Sequence, residues 1–145
     1  MAILHKIFVK DVMVRDVITI GLDDPFSKAW DIFRMHRIRH LPVVNRDQKI
    51  KGLITQRDLY KTLAPKKEIE DEGMFYLKED LDKFILQKVM VKEVETLFAE
   101  DTLGKAIDIM VKKKYGCLPV IDKRGVLVGI LTQTDVLKAI AQFIL

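Results

Sequence analysis

Apolar positions along this chain follow one pattern, and the pattern is written twice. Over residues 10–63 and again over 87–140, a β-branched piece, a helical stripe, two strand-like runs and a second helical stripe succeed one another. The opening pieces, residues 17–20 and 94–97, favour extended backbone. Asp23-Asp24-Pro25 then opens a helix, with the proline placed where its missing N–H costs nothing. Phe26, Ala29, Trp30, Ile32 and Phe33 recur at near-helical spacing and predict its buried face. The counterpart follows Asp101 and reads Leu103, Ala106, Ile107, Ile109 and Met110. Residues 41–44 and 118–121 predict one strand, 50–54 and 126–131 the next. Polar turns separate them, Asn45-Arg46-Asp47-Gln48 and Asp122-Lys123-Arg124-Gly125. A last helix begins near Gln56 or Gln133. The order β-α-β-β-α, twice, predicts an α/β fold in which helices pack on small sheets.

The copies align at a constant offset of 77 with no insertion, and 18 of 54 aligned positions are identical. The identities cluster in Val12-Met13-Val14, in Leu41-Pro42-Val43, and in Gly52-x-x-Thr55-Gln56-x-Asp58, each with its partner 77 residues on. Two copies are too few for a solenoid. They are expected to pack on each other about a pseudo-twofold axis, forming a cleft lined twice by the same residues. The boundaries read 8–63 for the first repeat, 64–83 for a linker and lead-in helix, and 84–145 for the second repeat. Residues 64–72 are charged and poor in large apolars, whereas 75–86 return to helical spacing. The final ten residues are apolar nearly all round, and such a helix wants a partner.

Composition narrows the classes. Hydrophobic residues make up 49% of the 145 and charged residues 32%, an ordinary globular balance. No apolar run approaches the roughly 18 residues of a membrane span, and the start lacks a secretory pattern. Cys117 is the single cysteine, which excludes an internal disulfide and fits a reducing cytoplasm. It stands just before an apolar strand, as a buried structural thiol would. A net charge of +4 favours anionic ligands, but no block of like charge suggests a nucleic-acid tail. Lys112-Lys113-Lys114 reads as a solvated helix end.

Catalytic signatures are lacking: there is no nucleophile elbow, zinc-protease helix, phosphate loop or dinucleotide fingerprint. His36 and His40 stand four apart, but Arg37 and Arg39 beside them repel a cation, so no metal site is expected. The recurring Thr-Gln-x-Asp carries more. Thr55 with Asp58, and Thr132 with Asp135, are spaced to cap a helix start reciprocally. The same carboxylate is an acceptor suited to two vicinal hydroxyls of a ribose, beside N–H groups suited to a phosphate.

Val-Met, then His-Leu-Pro-Val-Val, then Gly-Leu-Ile-Thr-Gln-Arg-Asp, repeated in register, resemble a pair of cystathionine β-synthase (CBS) domains. The resemblance covers both copies. It implies a stand-alone, non-enzymatic regulatory module with no cofactor, which binds AMP, ADP, ATP or S-adenosylmethionine between its motifs. Asp58 and Asp135 would then hold the ribose, with Thr55 and Thr132 supporting ribose or phosphate. Leu53 and Ile54, or Ile130 and Leu131, would flank the base. Met90 and Val94 would form the opposite wall of the first site, Met13 and Ile18 that of the second. Arg39 and His40 match basic residues that face phosphates, whereas the second copy has Gly116 and Cys117 in those places. A homodimer formed through exposed helical faces and a separate effector protein complete the expectation. Two other classes stay open on the residues alone, a ligand-free interaction module and a nucleic-acid-binding regulator; no aromatic residues interleave the basic ones as the latter would need.

Overall fold

A computed structural model describes residues 2–63 and 81–145. The first repeat runs β1 (Ile20–Gly21), α1 (Phe26–His36), β2 (His40–Val44), β3 (Ile50–Thr55) and α2 (Gln56–Leu63). The second runs α3 (Leu86–Val89), β4 (Leu97–Phe98), α4 (Leu103–Lys113), β5 (Cys117–Ile121), β6 (Leu127–Thr132) and α5 (Gln133–Phe143). Short 3-10 turns at Ala2–His5 and Val9–Asp11 precede them. The α/β class and the doubled β-α-β-β-α order are those the apolar pattern predicts.

Each repeat forms a three-stranded sheet, ordered β1-β2-β3 and β4-β5-β6. β1 lies parallel to β2 with Ile20 opposite Val43, and β4 lies parallel to β5 with Leu97 opposite Val120. β5 and β6 are antiparallel, with Leu118 opposite Leu131. The opening strands are shorter than predicted and displaced to the ends of residues 17–20 and 94–97. Their continuation is cut off by a turn. The Asp24 carboxylate accepts from the Gly21 N–H at 2.7 Å, and that of Asp101 from the Phe98 N–H at 2.8 Å. Both aspartates thus end a strand before the next helix begins.

Of the predicted stripes, α1 buries Phe26, Ala29, Trp30 and Phe33 and α4 buries Leu103, Ala106 and Met110, whereas Ile32, Ile107 and Ile109 are only half-buried against the cores. Removing each large apolar side chain from water contributes about 1.5–3 kcal/mol. Each helix ends on a basic residue in the left-handed region, Arg37 at φ 52° and Lys114 at φ 58°. That backbone costs roughly 1–2 kcal/mol without glycine, partly offset by a cation at the negative end of the helix.

The chain divides into two units, neither continuous in sequence. The first comprises the described parts of Ile18–Arg46 and Lys51–Glu93; the second, those of Met1–Val17, Asp47–Ile50 and Val94–Leu145. Each unit is thus completed by the lead-in of the other repeat. In the first, Leu86 and Met90 join the core of Ile20, Phe26, Trp30, Leu41, Ile54 and Leu59. In the second, Ile7 and Val9 join Leu97, Leu103, Leu118, Leu131 and Val136. The tip of the first hairpin also belongs to the second unit. There Lys49 bridges Val126, its own counterpart 77 residues on, with the Leu127 N–H donating to the Gln48 carbonyl at 2.9 Å.

The expected linker at 64–72 lies outside the described residues, as does most of the lead-in helix at 75–86. Its described end departs from a single continuous helix. Leu81 is helical and buried, residues 82–84 turn, and α3 begins separately at Leu86.

Candidate functional site

In both repeats a strand runs directly into a helix, and the joint is held by the repeated Thr-Gln-x-Asp. The Thr55 hydroxyl oxygen accepts from the Asp58 N–H at 3.1 Å, and Asp58 Oδ2 accepts from the Thr55 N–H at 3.4 Å. At the second joint the Thr132 hydroxyl oxygen accepts from the Asp135 N–H at 3.3 Å. Asp135 Oδ2 accepts from both the N–H and the hydroxyl of Thr132, each at 2.9 Å. These are reciprocal caps, each satisfying donors that a helix start would otherwise leave open. Capping uses one oxygen. Among the described residues no donor reaches Oδ1 of either carboxylate. Both aspartates are half-buried, so the spare oxygen sits at a partly accessible helix start.

The segment before each β2-type strand is tied to the same joint. The Gln56 N–H donates to the Arg39 carbonyl at 2.9 Å, and the Gln133 N–H to the Gly116 carbonyl at 3.1 Å. Arg39 is therefore fixed by its backbone beside the first turn of α2, with its side chain exposed. His40 is half-buried; burial, and then the charge of Arg39, hold its imidazole below the usual 6.5. In the second unit Cys117 is buried, and burial pushes its thiol up to about 12. It is an inert core group.

One wall of each joint comes from the exchanged lead-in. Leu53 and Val91 exchange backbone hydrogen bonds at 2.9 and 2.8 Å, and Ile130 and Val14 do so at 2.9 Å each. This pairing needs glycine alongside. A Cβ on Gly52 would stand 2.5 Å from the Met90 sulfur and 3.0 Å from the Val91 carbonyl oxygen. One on Gly129 would stand 2.5 Å from the Met13 sulfur and 3.0 Å from the Val14 carbonyl oxygen. Met90 therefore sits in the unit of Asp58, and Met13 in that of Asp135. Val94 belongs to the unit of Asp135, and Ile18 to that of Asp58. Ile54 and Leu131 do not serve as surface walls. Both are fully buried, because successive strand residues face opposite ways and theirs is the core face. Ile130 is buried too, whereas Leu53 stays half-buried. Val14, Val91 and the two glycines, identical in both repeats, also line these joints, and that identity is their signal in the sequence.

A family model of the CBS domain matches residues 9–65 and 86–142. The chain belongs to the CBS domain family. A CBS domain-containing protein of Dictyostelium discoideum is 34% identical over 135 residues, covering 91% of this chain and 90% of that one. The homoserine O-acetyltransferase of Methanohalobium evestigatum is 31% identical over 140 residues. That match takes in 97% of this chain and 25% of the enzyme, so the chain spans about a quarter of the enzyme's length. The solved CBS domain pair of protein MJ0100, in complex with 5′-methylthioadenosine and S-adenosyl-L-methionine, is 26% identical. It superposes with a TM-score of 0.77 over 93% of this chain and 96% of that one. No described helix is long and apolar enough to cross a membrane. No cluster of metal-ligating side chains occurs among the described residues.

Proposed function

We propose that this CBS pair is a regulatory rather than catalytic module, which binds an adenosyl ligand and passes the event to a separate effector protein in the cytoplasm. The observation that carries the reading is the half-used carboxylate. Asp58 and Asp135 are each oriented by one capped oxygen, leaving Oδ1 for the vicinal hydroxyls of a ribose, with a helix start alongside. A CBS pair 26% identical, solved with two adenosyl compounds, supports the choice of ligand class. Signalling then requires that the ligand bind one arrangement of the chain more tightly than another.

Assembly as a homodimer belongs to the same proposal. Met35 on α1, Tyr60 on α2, Val111 on α4 and Leu137 on α5 are all exposed, so each long helix presents a large apolar side chain to solvent. Closed twofold pairing is the commonest way to cover such positions.

Melting curves with AMP, ATP, 5′-methylthioadenosine and S-adenosylmethionine test the reading, since a ligand that binds only the folded chain raises the midpoint. The expected outcome is an upward shift that Asp58→Ala with Asp135→Ala abolishes. Loss of two charge-assisted bonds should weaken binding by well over tenfold. Sedimentation of the same samples reads the assembly. A shift that survives the double substitution would reduce both carboxylates to helix caps.

A further inference from the structure

Each helix-start joint lies two residues beyond a backbone grip on a lead-in that does not stay in its unit. Leu53 exchanges hydrogen bonds with Val91, and β3 reaches Thr55 two residues later. Ile130 exchanges them with Val14, and β6 reaches Thr132 in the same way. Past each grip the chain enters the other unit, between Glu93 and Val94 in one case and between Val17 and Ile18 in the other. There it is gripped again. Leu97 pairs with Val120 and Ile20 with Val43, each six residues beyond the valine of the first grip. Six residues extend to about 20 Å at most, so little slack separates the two grips. Arg15 tightens the 14–20 crossing further, its guanidinium donating to the Lys10 carbonyl at 3.0 Å and its carbonyl accepting from the Val17 N–H at 3.0 Å. The next strands close the circuit. β5 begins at Cys117, and the Gly116 carbonyl just before it accepts from the Gln133 N–H at the Asp135 joint. β2 begins at His40, and the Arg39 carbonyl accepts from the Gln56 N–H at the Asp58 joint. From each joint a continuous run of backbone bonds and short chain thus leads to the other.

We infer that the two helix-start sites are coupled: a ligand at one raises the affinity of the other, and the crossing segments, residues 91–97 and 14–20, carry the effect. The inference rests on the adenosyl reading above and adds regulation between its two sites. Binding orders the joint, the strand before it and the lead-in gripped there. Ordering costs conformational entropy, and a second ligand that meets segments already ordered loses less of it. Linkage makes the effect reciprocal, so either site can act first. The hairpin tips also bridge, at Lys49 and Val126, but at the ends of β3 and β6 remote from the joints.

Lys92, Glu93, Arg15 and Asp16 are exposed, so slack can be added there without touching either core. The full chain is compared with one carrying Gly-Gly between Lys92 and Glu93 and again between Arg15 and Asp16. Calorimetric titration of the unsubstituted chain with AMP should give two sites and a Hill coefficient above 1. Asp58→Ala or Asp135→Ala should leave one site, about fivefold or more weaker than the second binding step of the unsubstituted chain. The chain with both insertions should bind two AMP independently, at that weaker affinity. Hydrogen exchange without ligand reads the same coupling. Gly52→Ala drives a methyl against the Met90 sulfur and displaces the lead-in beside β3. Exchange at the Gln133 amide, in the other unit, should then quicken about tenfold, and the insertions should slow it again while Leu53 stays fast. Longer connections add no stability, so a general loss of stability would not be relieved this way. Met90→Ala loosens the same grip and replaces Gly52→Ala should the latter not fold. Two independent AMP sites, a single AMP per chain, or cooperativity that survives both insertions overturns the coupling and leaves the adenosyl reading intact. Absence of binding by AMP, 5′-methylthioadenosine and S-adenosylmethionine alike overturns the adenosyl reading and the coupling of ligands with it. A Gln133 rate indifferent to Gly52→Ala would then show that the crossings do not link the joints either.

Discussion

His40 begins β2 half-buried, next to an exposed arginine, and its titration is therefore written into stability. Burial, with the Arg39 charge behind it, places the folded-state value below 6.5. Below pH 6.5 the unfolded chain then binds the proton more readily than the folded one. The stabilising contribution is complete above 6.5 and is lost as pH falls from there through the lowered folded value. His40→Gln should flatten the decline in melting temperature between pH 7 and pH 5 relative to the unsubstituted protein. Parallel declines in the two proteins would show that the imidazole titrates as freely in the folded state as in the unfolded one. The aspartates of the Thr-Gln-x-Asp joints were legible because the same short spacing occurs twice before an apolar helix. Ile54 and Leu131 face the core rather than a surface for a physical reason. Leu53-Ile54 and Ile130-Leu131 are apolar on both pleat faces, and sequence spacing alone does not say which of two adjacent apolar residues faces the core.

At the scale of elements, the helices starting at Gln56 and Gln133 and the strands flanking each turn lie close to where periodicity predicts them. The caps of α1 and α4 were less legible. Thr102 precedes α4 and accepts from the Lys105 N–H at 3.1 Å, a local signal. Pro25 precedes α1 and has no side-chain acceptor to offer. Asp82, 55 residues away, accepts from the Ser27 N–H at 3.0 Å instead. The offset of 77 that aligns Ser27 with Gly104 also aligns His5 with Asp82, and a Cβ on Gly104 would meet the His5 ring at 3.4 Å. The same position of each lead-in thus lies by the start of the same helix, with an acid in one repeat and an imidazole in the other. Asp82→Ala should cost about 1 kcal/mol in urea unfolding and accelerate hydrogen exchange at the Ser27 amide. Asp82→Asn keeps an acceptor and should lose less. Unchanged exchange at Ser27 would mean that another group already satisfies this donor.

For the molecule as a whole, the informative feature is that sequence order and unit membership disagree. Periodicity is a local property, so it places a helix or a strand without saying which repeat a lead-in completes. Val-Met-Val stands at the start of both repeats, and nothing in its spacing indicates that Met13 and Val14 pack with β6 while Met90 and Val91 pack with β3. Glycine at 52 and 129 is the trace of this exchange, a position in a strand kept open for another backbone. The arrangement makes the start of the chain part of the unit that holds Asp135. Val9 is fully buried in that unit, and its N–H donates to the Asp101 carbonyl at 2.8 Å. Truncating it to alanine should leave a small cavity and cost about 2 kcal/mol. Local openings differ in free energy across a structure, so the loss should be visible by region in native-state hydrogen exchange. Val9→Ala should accelerate exchange in β5 and β6, more than 100 residues along the chain, before it affects β2, only about 30 residues away. Faster exchange confined to β2 and α1 would place the first lead-in with its own repeat and sink the exchange of segments between units.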